Sequence, residues 1–403
     1  MTGPERTPPP LDMAVGMGRY STTYEGSGGR IRTKPGDFAV CEILSDAALR
    51  SIREEGAYAV YELAKEGIDT GHCISDAYGR ARIRLKALGL KDAAARTTQY
   101  VCASSRGPGI LRLDAPRYTL RRLGYVARPL TGRYMTGNRF DIVVRGGAGL
   151  EGASLEGTIL NYYGYQRFGS RRPVTHLVGR AVLHNDMAEA IRLILSEESP
   201  FDASESNELR SMMADPSRYA ECLRMMPRSM DTERTVLRSL ADGDDHRTAF
   251  LRIPLYLRRL YVQAYQSYIF NLTLTAAASG GYDLSSPHEG DVCFDRADRL
   301  GRYGESEGQR LAVPMVGYSY YKKTRFHGVV SEVLDGEGVA PRDFYVRHMQ
   351  EVSSEGGFRQ ATLACSDVDI LRDRIRLTLS RGSFATVALR EVMKPADPVA
   401  AGF

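Results

Sequence analysis

Strand-like segments at both ends of the chain enclose a middle that reads as helix, and this distribution most constrains the fold. Residues 37–44 (Asp-Phe-Ala-Val-Cys-Glu-Ile-Leu) and 57–64 (Ala-Tyr-Ala-Val-Tyr-Glu-Leu-Ala) read as strands. Residues 97–103 and 140–144 are further candidates; 374–379 alternates apolar and polar, and 383–389 follows as a strand or a turn into a helix. Asp69 and Thr70 offer N-cap side chains to a helix that Ile74, Ala77, Ala81, Leu85 and Leu88 carry to about residue 88, with Gly89 as its expected stop. Amphipathic helices are predicted over about 182–196 and about 255–277, the latter through Leu257, Leu260, Val262, Tyr265, Ile269 and Leu272. An α+β protein follows, with β-rich ends around a helix-rich centre.

With 403 residues the chain is too long for one ordinary core, so two domains are expected. No apolar run reaches the roughly 18 residues of a membrane span. The first residues are Pro-rich and lack the apolar stretch of a secretory signal, so residues 1–15 are expected to be a disordered tail. Cys41, Cys73, Cys102, Cys222, Cys293 and Cys365 form no CxxC pair, and the histidines show no ligand spacing. Reduced thiols in a soluble, cytoplasmic protein without a metal are expected.

Net charge is only +5, but residues 71–140 hold fourteen Lys or Arg against Asp76, Asp92 and Asp114. That is +11 in this stretch and −6 in the remainder. The excess runs from Arg80 to Arg139 and is mostly arginine, which suits phosphate forks and stacking on bases. Within it lies Gly-Leu-Lys-Asp, residues 89–92, a glycine-led turn with a carboxylate beside a cation. A carboxylate held between cations stays ionised at neutral pH, as a nucleophile or base requires.

Four more blocks accompany that turn: Lys-Pro-Gly-Asp-Phe-Ala-Val (34–40), Thr-Gly-Asn-Arg-Phe (136–140), Asn-Tyr-Tyr-Gly-Tyr-Gln-Arg-Phe-Gly (161–169) and Gly-Ser-Phe-Ala-Thr-Val-Ala-Leu-Arg-Glu (382–391). Together and in this order they resemble the TruD family of tRNA pseudouridine synthases, from about Ile31 to Met393. The resemblance implies a pseudouridine synthase fold, a mixed and largely antiparallel sheet, interrupted by a family-specific α/β insertion domain. The catalytic domain is expected at 16–170 and 365–403 and the insertion at 171–364. The implied reaction is isomerisation of uridine to pseudouridine in tRNA, most specifically at position 13, without cofactor or metal, by a monomer. Two rivals are the same chemistry on another RNA site and a non-catalytic RNA-binding or tRNA-folding protein of the same fold.

By the resemblance, Asp92 is the catalytic carboxylate, Phe140 the aromatic that stacks on the flipped base, and Asn138 a group orienting Asp92 or the ribose. Arg32 stands where the family carries a lysine paired with the catalytic aspartate, and Lys34 competes for that pairing if the loop register shifts. Lys91, Gln166, Arg167 and Phe168 are the other expected substrate contacts, although the 161–169 block serves equally as a structural hinge. Ser383, Phe384 and Arg390 are expected to pack rather than to act. The run Tyr318-Ser-Tyr-Tyr-Lys-Lys-Thr-Arg325 interleaves aromatics with cations and reads either as an RNA contact or as a half-buried strand with a basic edge.

Overall fold

A computed structural model describes residues 6–91, 93–107, 109–155, 159–227, 230–304 and 307–403. These fall into two compact units: a sheet unit within 24–159 and 363–403, and a helical unit within 1–23 and 160–362. Among the described residues no helix is long and apolar enough to cross a membrane.

In chain order the sheet unit supplies β1 (Phe38–Leu44), β2 (Tyr58–Glu66), β3 (Leu85–Ala87), β4 (Arg96–Ala103), β5 (Arg112–Ala115), β6 (Tyr118–Val126) and β7 (Met135–Val143). The helical unit contributes β8 (Val292–Phe294), β9 (Leu300–Arg302), β10 (Arg310–Met315) and β11 (Gly357–Gln360) before the chain returns for β12 (Cys365–Leu371) and β13 (Arg374–Ser380). The large sheet runs β12-β13-β7-β1-β4-β2-β6-β5, with β3 also on β4. Its β1–β4 pair is parallel and the other ladders are antiparallel, so the α+β class with a mixed sheet holds.

Strand alternation sorts the side chains. Tyr61, Leu63, Val101 and Leu120 share a face and form a core with Cys73 and Ala77 of the helix Thr70–Ala81. That helix is shorter than the spacing of its apolar residues predicts. Arg82 ends it with a left-handed φ of 56°, and Leu85 and Ala87 then pack on the same core from β3. Gly89 therefore lies in a turn at the sheet and not at a helix stop.

The helix predicted over 182–196 is two, Thr175–Leu183 and Met187–Leu195. Asn185 adopts a positive φ of 59°, and Asp186 restarts the helix by accepting the Glu189 N–H at 2.9 Å. The helix Leu255–Ser279 matches its prediction closely. Residues 6–15 are not a disordered tail. Pro10–Ala14 is helical, Leu11 and Val15 are buried, and Asp12 Oδ1 accepts a 2.5 Å hydrogen bond from Tyr165 Oη. The units divide at 159/160 and 362/363 rather than at 170/171 and 364/365, and residues 16–23 lie with the helical unit.

Candidate active site

The site is built where two strands share one edge of β4. β1 pairs with β4 only through Ala39–Cys41, opposite Arg96–Thr98, while β3 pairs farther along, at Val101–Ala103. Gln99 and Tyr100 lie in the gap between these two ladders. Backbone groups left there need partners. The Tyr100 N–H donates to Glu42 Oε2 at 2.9 Å, and its carbonyl accepts the Leu88 N–H at 3.2 Å. The Gly89-Leu90-Lys91 turn fills the gap.

Four side chains pin this turn. Gln99 Nε2 donates to the Gly89 carbonyl at 3.1 Å, and Gln99 Oε1 accepts from Thr70 Oγ1 at 2.9 Å. Thr70 Oγ1 also accepts the Lys91 N–H at 3.0 Å. Lys91 Nζ meets Glu42 Oε1 at 2.7 Å, with side-chain exposures of 12 % and 0 %. A Cβ on Gly89 would come within 2.6 Å of Glu42 Oε1, so any larger residue there displaces the pair. Between these anchors Leu90 is 81 % exposed, so the turn itself faces solvent. Lys91, expected to touch substrate, instead commits its ammonium to Glu42. Asp92, the next residue, lies outside the described residues.

Asn138 stands opposite Glu42 and Phe140 opposite Val40 in the β1–β7 ladder, which puts both on the face that carries Glu42. Asn138 Oδ1 is buried and has no hydrogen-bond partner among the described residues, and Thr97 Oγ1, opposite Val40 on β4, is likewise unpaired. Buried polar atoms without partners are rare, and each calls for an explanation such as an absent ligand. Phe140 is 7 % exposed and meets the Phe38 ring edge-on at 6.1 Å. It is a core aromatic inside β7 and does not begin that strand.

Arg32, with a positive φ of 55°, stacks its guanidinium 4.1 Å above Phe38 and donates from Nη1 to the Gly402 carbonyl at 3.0 Å. Arg32, Phe38 and Phe140 thus form a continuous row. Asp37 steadies its base by accepting from Arg145 Nε at 2.8 Å and Nη2 at 2.6 Å and from the Lys34 N–H at 3.1 Å. The bidentate guanidinium holds the Asp37 carboxyl below its ordinary range. The Lys34 side chain is exposed.

The opposite face of the sheet bears a groove of about 640 Å³, floored by Ala39, Cys41, Ala64 and Thr98 and rimmed by Arg96, Arg117 and Arg139. Alternation places it across the sheet from the Glu42 and Asn138 side chains. The basic stretch is only partly free. Arg80, Arg112 and Arg121 pair with Asp76, Asp114 and Glu62, whereas Arg96, Arg133 and Arg139 have no ion-pair partner among the described residues.

Comparison with known proteins fits this arrangement. The family model described as tRNA pseudouridine synthase D (TruD) matches residues 14–392. The chain belongs to the TruD family. It is 33 % identical to the Pyrobaculum neutrophilum protein named "Probable tRNA pseudouridine synthase D" over 98 % of this chain and 99 % of that one. It is 34 % identical to the Methanopyrus kandleri protein of the same name, over 84 % and 86 %. A crystal structure from Methanosarcina mazei assigned as tRNA pseudouridine synthase D (TruD) superposes with a TM-score of 0.75 at 27 % identity, covering 98 % of this chain and all (100 %) of that one.

In this TruD-family chain Lys91, Asn138, Phe140 and Arg32 lie in the sheet unit, while Gln166, Arg167 and Phe168 lie in the helical unit. Phe168 is 0 % exposed and packs edge-on against His176, which places it in the core of that unit. Arg167 donates to Ser267 Oγ at 3.0 Å, and Gln166 is exposed. Asn161 is held by Arg359, whose Nη2 reaches Asn161 Oδ1 at 2.7 Å while its guanidinium stacks 4.1 Å from the Tyr163 ring centre. Asn161, Arg167 and Phe168 are thus engaged within their own unit, and Gln166 reaches its surface. Arg390 is fully buried and donates to Glu391 Oε1 at 3.0 Å within the helix Ala385–Met393. Sequence reading passed over Glu42, Thr70 and Gln99 as site-builders. The available signal was Glu42 itself, a charge at the buried phase of Phe38, Val40, Glu42 and Leu44.

Proposed function

We infer that the protein isomerises uridine to pseudouridine in tRNA, at position 13, with Asp92 as the catalytic carboxylate. The observation that carries this reading is the clamped Gly89–Lys91 turn. Its backbone is fixed from both sides, its tip faces solvent, and the next residue is Asp92. Effective catalysis needs the reacting group held in place before substrate arrives. Asn138 Oδ1, without a partner among the described residues, lies on the same face and supports a hydrogen-bond donor there, such as a ribose hydroxyl.

In the reaction the C1′–N1 bond breaks, the uracil turns, and C5 bonds to C1′. The proton lost from C5 is balanced by the one gained at N1, so no oxidant or reductant is consumed. Asp92 attacks C1′, adds to C6, or takes the C2′ proton on a glycal route. Arg32 keeps the carboxylate ionised in each case. Phe140, with Phe38 edge-on beside it, is the aromatic on which the flipped base stacks, and the exposed arginines between Arg80 and Arg139 take phosphates, making binding salt-dependent.

The test is a pseudouridine assay by chemical labelling and primer extension on unmodified tRNA transcripts, wild type against Asp92→Asn. Signal at position 13 from wild type alone is expected. Equal signal from both proteins removes Asp92 from its role. Signal elsewhere in the RNA, or tight binding without product, replaces the target or the activity.

A further inference from the structure

The aromatic and basic run at residues 318–325 is not a strand. It leaves β10 as an open loop, and the reaction assigns it no role. Its root is fixed. The Tyr318 N–H donates to the Ser354 carbonyl at 3.0 Å and the Ser319 N–H to the Glu355 carbonyl at 3.0 Å. Gly317 approaches so closely that a Cβ there would lie 2.2 Å from the Gly356 nitrogen. From this root Tyr318 emerges 43 % exposed and meets Tyr345, 42 % exposed, with ring centres 5.6 Å apart and planes at 85°. Tyr345 is anchored on both sides by Phe344 and Val346, at 0 % and 2 % exposure.

Two exposed rings at right angles make a notch with one flat wall and one edge. Beyond it, Tyr321 accepts a hydrogen bond from Arg302 Nη2, and the exposed Lys322 and Lys323 have no partner among the described residues. Glu355 is exposed at the Tyr318 end, so phosphate contacts fall to the lysine end and base contacts to the tyrosines. Buried tyrosines would be packing and isolated lysines a solvated face. Here a loop whose root is hydrogen-bonded carries an exposed ring and, four positions on, cations without a partner among the described residues, the combination that binds single-stranded nucleic acid by stacking and charge. A preformed platform also spares the ordering cost of binding.

We propose that Tyr318 and Tyr345, with Lys322 and Lys323, form a docking platform on the helical unit for an unpaired stretch of the RNA substrate. This rests on the tRNA reading of the sheet-unit site.

The test uses the full chain. Affinity for a fluorescent unmodified tRNA transcript and for a single-stranded oligouridylate is measured by anisotropy, alongside kcat and KM for pseudouridine formation. Tyr318→Ala/Tyr345→Ala is expected to weaken both affinities by about 5- to 100-fold and to raise KM while kcat at saturating tRNA stays unchanged. Tyr318→Phe/Tyr345→Phe keeps the rings and is expected to bind as wild type. Lys322→Ala/Lys323→Ala is expected to shrink the slope of log affinity against log salt by about 1.4 for the oligouridylate. Wild-type affinity in the double alanine protein overturns the platform and leaves the catalytic reading intact. An equal loss in the phenylalanine variant also overturns it, because the rings would then not be what RNA contacts. Wild type that neither binds nor modifies tRNA overturns both readings.

Discussion

Lys91 Nζ lies 2.7 Å from Glu42 Oε1, and the Glu42 side chain has no solvent exposure. The cation next to the expected nucleophile is therefore already neutralised by a partner from β1. Its role is to fix the turn. Lys91→Met should strip a buried carboxylate of its counter-ion and destabilise the protein by about 3 to 5 kcal/mol. Lys91→Met with Glu42→Gln should recover much of that loss, because the uncompensated charge is gone. Denaturant titrations of the three proteins check this, and pseudouridine formation should remain depressed in the double variant.

Gly89→Ala pushes a methyl to within 2.6 Å of Glu42 Oε1 and 3.0 Å of Lys91 Nζ. The pair must open and the turn shift. A fall in kcat of about tenfold or more is expected, equivalent to about 1.4 kcal/mol of barrier, with substrate affinity nearly retained. Single-turnover kinetics at saturating tRNA separates the two.

Asn138 Oδ1 is buried with no partner among the described residues, whereas Asn161 Oδ1 accepts Arg359 Nη2 at 2.7 Å. An unsatisfied buried oxygen costs about 1 to 3 kcal/mol, and removing it relieves that cost. Asn138→Ala should leave Tm unchanged or slightly higher while kcat falls. Asn161→Ala should lower Tm. Thermal melts paired with activity assays distinguish a site asparagine from a structural one.

His176 is buried between Phe168 and Tyr268, and burial pushes its pKa down to about 3. The unfolded chain, with a histidine pKa of about 6.5, takes up this proton first as pH falls. The stabilising contribution is therefore complete above about pH 6.5 and declines toward pH 3, by at most about 1.4 kcal/mol per pH unit. Asp37, with its lowered carboxyl, adds to acid sensitivity only below about pH 4. Between pH 7 and about pH 5, wild type should lose more Tm than His176→Phe, and parallel melting curves would remove His176 from this role.

Local periodicity made β1, β2, β4, β13 and the helix Leu255–Ser279 readable, because each presents one apolar face over several residues. It could not reveal β3 or β6. Leu85–Ala87 is too short to declare a period, and Arg121, Arg122 and Gly124 interrupt β6, whose strand character comes from pairing with β2. The candidate site was legible as blocks but not as a network. Glu42, Thr70, Gln99 and Lys91 come from four separated segments, and only the gap along β4 explains why they converge. The N-terminal residues look like a tail by composition, yet Leu11 is buried and Asp12 finds its partner in Tyr165, 153 positions later.

Each unit is assembled from two pieces of chain separated by the other unit. During synthesis on the ribosome, residues up to 23 emerge well before residues 160–362, and β7 waits still longer for β13, which follows that whole stretch. β7 thus spends much of translation as an unpaired sheet edge bearing Ile142 and Phe140, a surface prone to pairing with other chains. Pausing within 160–362 should therefore favour aggregation of nascent chains, and slow elongation is a poor strategy for producing this protein.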